Sequence, residues 1–440
     1  MRENKNSVMS QAAMLAASNL FLHLLGFAYR IALSRLAGPE GMGIYMLVMQ
    51  VYAILYSVCL SGVCVAVTAI SAKLVARGDD AGIRRLVRIA VAAFILLFAL
   101  MALPVVLFPQ FIGAALLGDP RTVQALYLVL ACIFLTGIEN IFKSVFHGIR
   151  QVKYAIVSEV GEQLLRIGLV LLLLNRFSNG DYGHTAFLIL LGMTLSEIYS
   201  SIFLLTSFLR RFVHRALKRK SRPEGLAREF RGIMMPVAAT SIISNMFSSV
   251  ATILFPARLV VAGFTRSAAV SALGILSGMA APLMFLPVPV INSLCTVLLP
   301  NVAASVAHSD PAGVRRKVKK ALLITAIFAL PVTFSLLPFV PKLCMLLFGQ
   351  PIGPTLALLL AVHTAITYFL FVSISILNAV GEQRKILTYA IIAEAFQLGL
   401  VWLLTAVPEL NIYGYLFGMI LGDGVRLALN LKRVRLVIFR

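Results

Sequence analysis

The sequence predicts an all-α integral membrane protein of about twelve transmembrane helices, arranged as two parallel six-helix repeats. Three observations predict it: the composition, the sidedness of the basic residues and the internal repetition. Of 440 residues, 60% are hydrophobic and 13% are charged, more apolar matter than a water-soluble fold of this length can place in a core. A hydrocarbon layer about 30 Å thick needs about 20 apolar residues per helix. The chain supplies such runs in succession at 8–36, 44–76, 86–108, 123–147, 154–175, 184–208, 232–255, 270–300, 321–341, 355–379, 386–406 and 411–430. The first follows Arg2 and Lys5 but runs on through Arg30 and Arg35 into the second, so it reads as an uncleaved helix and not a signal peptide.

A formal net charge of +22 suggests nucleic acid until the basic residues are sorted by loop. With the N-terminus cytoplasmic, 31 of the 39 Lys and Arg fall on the inside, nine of them between Arg210 and Arg231. Seven fall outside: Arg30, Arg35, Arg121, Arg176, Arg258, Arg266 and Lys342. Arg166 is left within a helix. This asymmetry argues against a nucleic-acid partner and places both termini of a multi-pass protein in the cytoplasm. The Arg210–Arg231 cluster serves as an anchor on anionic lipid. The five cysteines lie within predicted spans as packing residues.

The halves repeat. Ala81-Gly82-Ile83-Arg84-Arg85 returns as Ala312-Gly313-Val314-Arg315-Arg316, 231 positions on, and Gly118-Asp119-Pro120 returns as Gly349-Gln350-Pro351 at the same offset. Tyr154–Glu159 matches Tyr389–Glu394 at 235, and Gly192–Glu197 matches Gly418–Asp423 at 226. Six is even, so both repeats enter the membrane in one orientation, as in transporters with parallel repeats. The expected division is an N-terminal bundle at 1–208, a basic cytoplasmic connector at 209–231 and a C-terminal bundle at 232–440.

Charges inside spans are costly, about 2.5–3.5 kcal/mol each at a helix centre, and should face a bundle interior or a wet cavity. Arg30, Arg35, Arg258 and Arg266 are the candidate substrate-binding residues, lying near the outer membrane level. A guanidinium donates paired hydrogen bonds and stays charged, which suits a phosphate or pyrophosphate. Glu162 and Arg166, spaced i and i+4, together with Glu139, are candidates for ion coupling or for structural pairing. Glu159 and Glu394 are expected near the cytoplasmic face, solvated and silent. His23 and His363 are expected as helix-contact residues. Pro282, Pro287, Pro289 and Pro300 gather in the eighth span as kink candidates, and Gly38-Pro39-Glu40-Gly41-Met42-Gly43 reads as a tight extracellular turn.

No phosphate loop, nucleophile elbow or zinc-protease motif occurs. The expectation is therefore a protein that is not an enzyme, without metal or cofactor, driven by sodium ion, protons or the membrane potential.

Leu25-Gly26-Phe27-Ala28-Tyr29-Arg30 and Ser34-Arg35-Leu36-Ala37-Gly38-Pro39-Glu40-Gly41-Met42-Gly43-Ile44-Tyr45 resemble the opening of one family. It is the polysaccharide-transporter branch of the multidrug/oligosaccharidyl-lipid/polysaccharide (MOP) exporter superfamily, the stage V sporulation protein B-like and lipid II flippase-like proteins in particular. The resemblance implies a V-shaped bundle around a central cavity and the flipping of undecaprenyl-pyrophosphate-linked saccharides from inner to outer leaflet by alternating access. It also puts Arg35 on a position implicated in head-group binding, with Arg30 displaced by one residue and Tyr29 at the other. Many relatives carry two more C-terminal helices than this sequence shows, which leaves capsule and O-antigen-type precursors open beside peptidoglycan ones. The alternative is an ion-coupled drug or metabolite antiporter of the same superfamily, which would place carboxylates in spans one, seven or ten; none occurs there. A third class, a scaffold for cell-wall or polysaccharide synthesis enzymes, would leave the arginines dispensable.

Overall fold

A computed structural model describes residues 2–213, 225–307 and 310–438, and all regular structure among them is helical. The Lys218–Lys220 part of the basic connector lies outside the described residues. The helices are α1 (Arg2–Tyr56), α2 (Gly62–Ala76), α3 (Asp80–Leu107), α4 (Val123–Gly148), α5 (Val152–Phe177), α6 (Tyr182–Phe208), α7 (Leu226–Val261) and α8 (Arg266–Leu273). They continue as α9 (Ala281–Met284), α10 (Val288–Ala307), α11 (Pro311–Leu336), α12 (Val340–Phe348), α13 (Pro354–Ala379), α14 (Gln383–Leu404) and α15 (Asn411–Ile438).

Ten stretches among the described residues are long and apolar enough to cross a membrane, and the first of them, Ala17–Ala76, is 60 residues long and covers two passes. Adding α5, whose Glu159, Glu162 and Arg166 lower its hydropathy, gives the twelve passes expected. Much of their surface is apolar and uncovered: Leu96, Leu100, Leu172 and Ile327 leave 71, 60, 56 and 65% of theirs exposed, as lipid-facing side chains do.

Two details differ from the sequence reading. The segment Gly38–Gly43 is no loop. Helix α1 breaks at the single residue Gly38 (φ 68°, ψ 173°), a conformation open only to glycine, and resumes at once at Pro39. Proline is well suited to a first helical position, where its missing N–H costs nothing. The eighth span is likewise not one helix. Between α8 and α9 a π-helical stretch covers Gly274–Ala280, and turns at Phe285–Pro287 separate α9 from α10. Pro282, Pro287 and Pro289 withhold the backbone donors that a continuous helix would need there.

By contacts the chain forms two compact units, Met1–Ala37 with Ile44–Ser249, and Gly38–Gly43 with Val250–Arg440. The sequence places the change of bundle at the connector, 209–231; the contacts place it within α7. The reason is local. A Cβ on Gly62 would lie 2.3 Å from the Met234 carbonyl, so the first half of α7 packs directly on α2, and Lys73 bonds Glu229 at 2.6 Å. In the first unit the core gathers Leu60, Ile70, Leu86, Phe94, Phe146 and Phe230, with Gly137 leaving room for the Phe94 ring. In the second it gathers Ile291, Val302, Tyr368, Val372 and Ile376, and the Tyr368 hydroxyl donates to the Met284 carbonyl at 3.1 Å.

The repetition extends to backbone geometry. Asp79 caps α3 by accepting from Gly82 N–H at 2.8 Å, and Asp310, 231 residues later, caps α11 by accepting from Gly313 N–H at 2.8 Å. Gly118 and Gly349 share φ +71°. The α4 and α13 termini use the same left-handed residue, but one copy has Arg150 (φ 58°) where the other has Gly381 (φ 83°). An L side chain pays about 1 kcal/mol in that region. Arg150→Gly is therefore expected to stabilise the protein by about 0.5–1 kcal/mol, and Gly381→Arg to lose a similar amount. Unfolding midpoints in detergent measure both, and a lower midpoint for Arg150→Gly would contradict the strain argument.

Candidate functional site

Three helices of the first unit each turn a polar stripe toward the others. On α4 the stripe is Thr136, Glu139 and Lys143; on α5 it is Glu159, Glu162 and Arg166; on α6 it is Ser196, Glu197 and Ser200. The spacings of three and four keep each set on one helix face. Glu139, Glu162 and Glu197 are 1, 8 and 3% exposed, in passes where burial means removal from both water and head groups.

Two cations hold these acids. Lys143 Nζ lies 2.6 Å from Glu139 Oε1 and 3.2 Å from Glu159 Oε1. Arg166 Nη2 bonds Glu162 Oε1 closely and sits 3.2 Å from Glu197 Oε1, while its Nε faces Ser196 Oγ at 3.4 Å. Ser200 Oγ donates to Glu139 Oε2 at 2.8 Å. Four carboxyl groups thus share two permanent or near-permanent positive charges. The Glu139, Glu162 and Glu197 groups also approach within 4.8 Å of one another, and Glu197 Oε2 is buried with no hydrogen-bond donor among the described residues. Carboxylates this close in a medium of low dielectric cannot all be charged at once. The arrangement has room for a proton shared between acids, or for a small cation held by their oxygens. The sequence expected no metal, and these three oxygens form a donor set that it did not anticipate.

The second stretch of α1 adds Tyr52, whose hydroxyl meets Thr136 Oγ1 at 3.3 Å, and Tyr45, whose hydroxyl faces Met193 Sδ at 3.5 Å. Tyr29 and Tyr45 both lie within electrostatic range of Arg30 and Arg166. The face of α1 that carries Arg30 is fixed one turn earlier, where Gly26 stands against Gln163 of α5. Arg30 is half-buried and makes no ion pair among the described residues.

The other predicted residues are elsewhere. Arg35 is exposed and lines a groove of about 630 Å³ with Leu36, Leu172, Asn175 and Arg176. Arg258 is occupied: its Nε donates to the Trp402 carbonyl at 2.8 Å and its guanidinium lies 4.4 Å from the Trp402 ring centroid. Arg266 is exposed at the start of α8. So Arg30 shares Tyr29 and Tyr45 as electrostatic neighbours with Arg166, Arg35 faces a separate groove in the same unit, and Arg258 and Arg266 belong to the second unit. Sequence reasoning counted Lys143 as a loop cation and left Glu159 silent. The i, i+4 spacing of Glu139 and Lys143 was the available signal; the reach of Lys143 across to Glu159 on α5 had none.

The second unit carries a related but smaller set. Arg426 Nη1 meets Glu394 Oε1 at 3.0 Å, and His363 Nε2 meets Asp423 Oδ2 at 3.2 Å. Glu394 is therefore paired, and His363 Nε2, which makes no hydrogen bond among the described residues, stands beside a carboxylate.

Comparison with known proteins agrees with this architecture. The family described as "Polysaccharide biosynthesis protein" matches residues 8–306. Stage V sporulation protein B of Bacillus subtilis (strain 168) is 21% identical over 425 residues, covering 95% of this chain and 82% of that one. Sporulation protein YkvU of the same organism is 20% identical over 412 residues, covering 92% and 90%. Among solved structures, a multidrug resistance MATE family transporter of the MOP superfamily in its inward-facing conformation superposes with a TM-score of 0.76 at 18% identity, covering 96% of this chain and 94% of that one.

Proposed function

We propose that this chain, which belongs to the polysaccharide biosynthesis protein family within the MOP exporter superfamily, is a membrane transporter that flips an undecaprenyl-pyrophosphate-linked saccharide from the inner to the outer leaflet. Its work is done by alternating access, in a bacterial plasma membrane, with both termini in the cytoplasm. Arg30 carries the reading. A guanidinium inside an apolar helix is costly to keep there, and Arg30 makes no ion pair among the described residues, in contrast to Arg166 one helix away. An anionic head group would supply the missing counter-charge, and the phenol groups of Tyr29 and Tyr45 nearby can donate to its oxygens. Pyrophosphate attached to a lipid-linked saccharide is an anion of this chemistry that a polysaccharide biosynthesis protein would meet. The carboxyl cluster of Glu139, Glu162 and Glu197 then handles the coupling ion, loading a proton or a cation in exchange for the head group's passage.

The test is translocation of a labelled undecaprenyl-pyrophosphate-linked saccharide in proteoliposomes. Arg30→Ala is expected to slow it about ten- to hundredfold, the loss of about 1.4–2.8 kcal/mol of charge-assisted hydrogen bonding. Arg30→Lys should recover part of the rate, because it keeps the charge but not the paired donors. A wild type that moves no member of a panel of such lipids, yet exports a cationic dye against a proton or sodium gradient, would establish the antiporter instead.

A further inference from the structure

We propose that His363 and Asp423 form a separate proton-binding site in the second unit, one that the transport cycle fills and empties. The use of that proton rests on the transport reading above; the binding itself does not.

Both residues lie deep in their helices. His363 comes nine residues after the first residue of α13, and Asp423 twelve after the first of α15, about 14 and 18 Å along axes that must cross about 30 Å of hydrocarbon. The imidazole Nε2 faces Asp423 Oδ2 at 3.2 Å. The Thr367 hydroxyl sits 3.4 Å from the same carboxylate oxygen and 2.9 Å from the His363 carbonyl. The Phe285 ring stands edge-on to the imidazole at 6.1 Å.

The charges around the pair leave a gap that one proton fills. From α15 come Asp423 and Arg426. From α14 comes Glu394, which holds Arg426 at 3.0 Å and lies within electrostatic range of Asp423. Helix α13 itself carries no other charged residue, and its Tyr368 hydroxyl is spent on the Met284 carbonyl. The stretch Gly274–Phe285 and helix α10 contain no charged residue. The cations of α11, at 315–320, occupy its first turns, and Lys342 of α12 lies in the first turn of that helix. Asp423, Glu394 and Arg426 therefore sum to one excess negative charge, and His363 is the group beside Asp423 that can cancel it, when protonated.

The repeat shows what has been exchanged. At the offset of 231, His363 replaces Cys132 and Thr367 keeps the place of Thr136; at 226, Asp423 replaces Glu197. The threonines even keep one bond, each donating to the carbonyl four residues back at 2.9 Å. In the first unit the acid at this level is held by Arg166, whose charge is permanent. At the offset of 235 the second unit has Val401 there, and at 231 it has Ile374 in place of Lys143. The second copy has given up two fixed cations, gained one in Arg426 at the place of Ser200, and gained one in His363 that comes and goes with a proton. A guanidinium gives up no proton of its own; an imidazole facing a carboxylate near mid-membrane can take up a proton and release it.

The test uses the full-length protein in detergent, lightly buffered, with a soluble pH indicator to count protons taken up as the solution is brought from about pH 8 to about pH 5. His363→Gln is expected to take up about one proton fewer than the wild type. Five other histidines are common to both samples and cancel. If His363→Gln proves unfolded by size exclusion, His363→Asn or Asp423→Asn takes its place, with the same deficit expected. Equal uptake by the wild type and a folded variant overturns the proposal. In proteoliposomes the same variant should abolish acceleration by an imposed pH gradient, and a variant that still responds to the gradient also overturns it. The two readings fail separately: a proton deficit in a protein that flips no lipid-linked saccharide leaves this site standing and removes the substrate.

Discussion

Arg166→Ala is expected to cost about 3–5 kcal/mol of stability, enough to remove most of the folded protein from the membrane fraction. Arg166 lies with Glu162 and Glu197 at side-chain exposures of 19, 10 and 4%. Taking away one member of a buried ion pair strands the other, and here it strands two. The desolvation cost of the stranded carboxylates was already incurred on folding, so the loss exceeds what the same pair would contribute at a surface, which is about 0–1 kcal/mol. Unfolding followed by denaturant or heat in detergent measures it, and a loss under about 1 kcal/mol would show the cluster to be well solvated.

The same logic predicts the rescue. Arg166→Met combined with Glu162→Gln and Glu197→Gln removes the cation and both of its acids while keeping volume, and should return to within about 1–2 kcal/mol of the wild type, because exchanging a buried ion pair for well-packed neutral groups is often nearly neutral. Such a variant separates two roles that a single substitution confuses. If the carboxyl cluster only holds α4, α5 and α6 together, the rescued protein transports as before. If it also carries the coupling ion, the protein folds but transport no longer responds to a gradient.

The features legible in the sequence were those governed by local spacing or by sums over many residues. Twelve passes follow from hydropathy, the two repeats from matched motifs at offsets of 226–235, and the Glu162–Arg166 pair from its i, i+4 spacing. The convergence of α4, α5 and α6 was not legible, since which faces meet is decided by helix rotation, which packing sets. Hence Lys143 was read as a loop cation, though it reaches Glu159 on another helix at 3.2 Å. Spacing marks Arg258 as a cation for a ligand and gives no sign that its Nε–H donates to the carbonyl of a tryptophan 144 residues away and that its guanidinium stacks on that ring. The Gly-Pro-Glu-Gly-Met-Gly run carried every mark of a loop. Its glycines serve something that composition does not express: how closely two backbones approach.

That approach makes the second large effect. A Cβ on Gly274 would lie 1.9 Å from the Pro39 carbonyl oxygen, and one on Gly43 would lie 2.0 Å from the Val270 carbonyl oxygen. The obstruction on each side is backbone, which cannot rotate away as a side chain can. Close crossings of this kind between small residues are a common means of packing helices in membranes. Glu40 ties the same crossing by accepting from Ser267 Oγ at 2.6 Å. Gly274→Ala and Gly43→Ala are therefore each expected to lose about 3 kcal/mol or more, at or beyond the usual cost of overpacking. Gly168→Ala and Gly399→Ala supply the contrast. Both glycines stand inside helices, α5 and α14, with nothing within 4 Å of the added carbon, so alanine should be neutral or stabilising by up to about 1 kcal/mol. If all four variants unfolded at similar midpoints, the crossing at Gly43 and Gly274 would have to be looser than its geometry states. A loss confined to Gly43 and Gly274 would mean that Gly38–Gly43 is held to the second unit by contact of main chain on main chain, a constraint any motion of α1 has to respect.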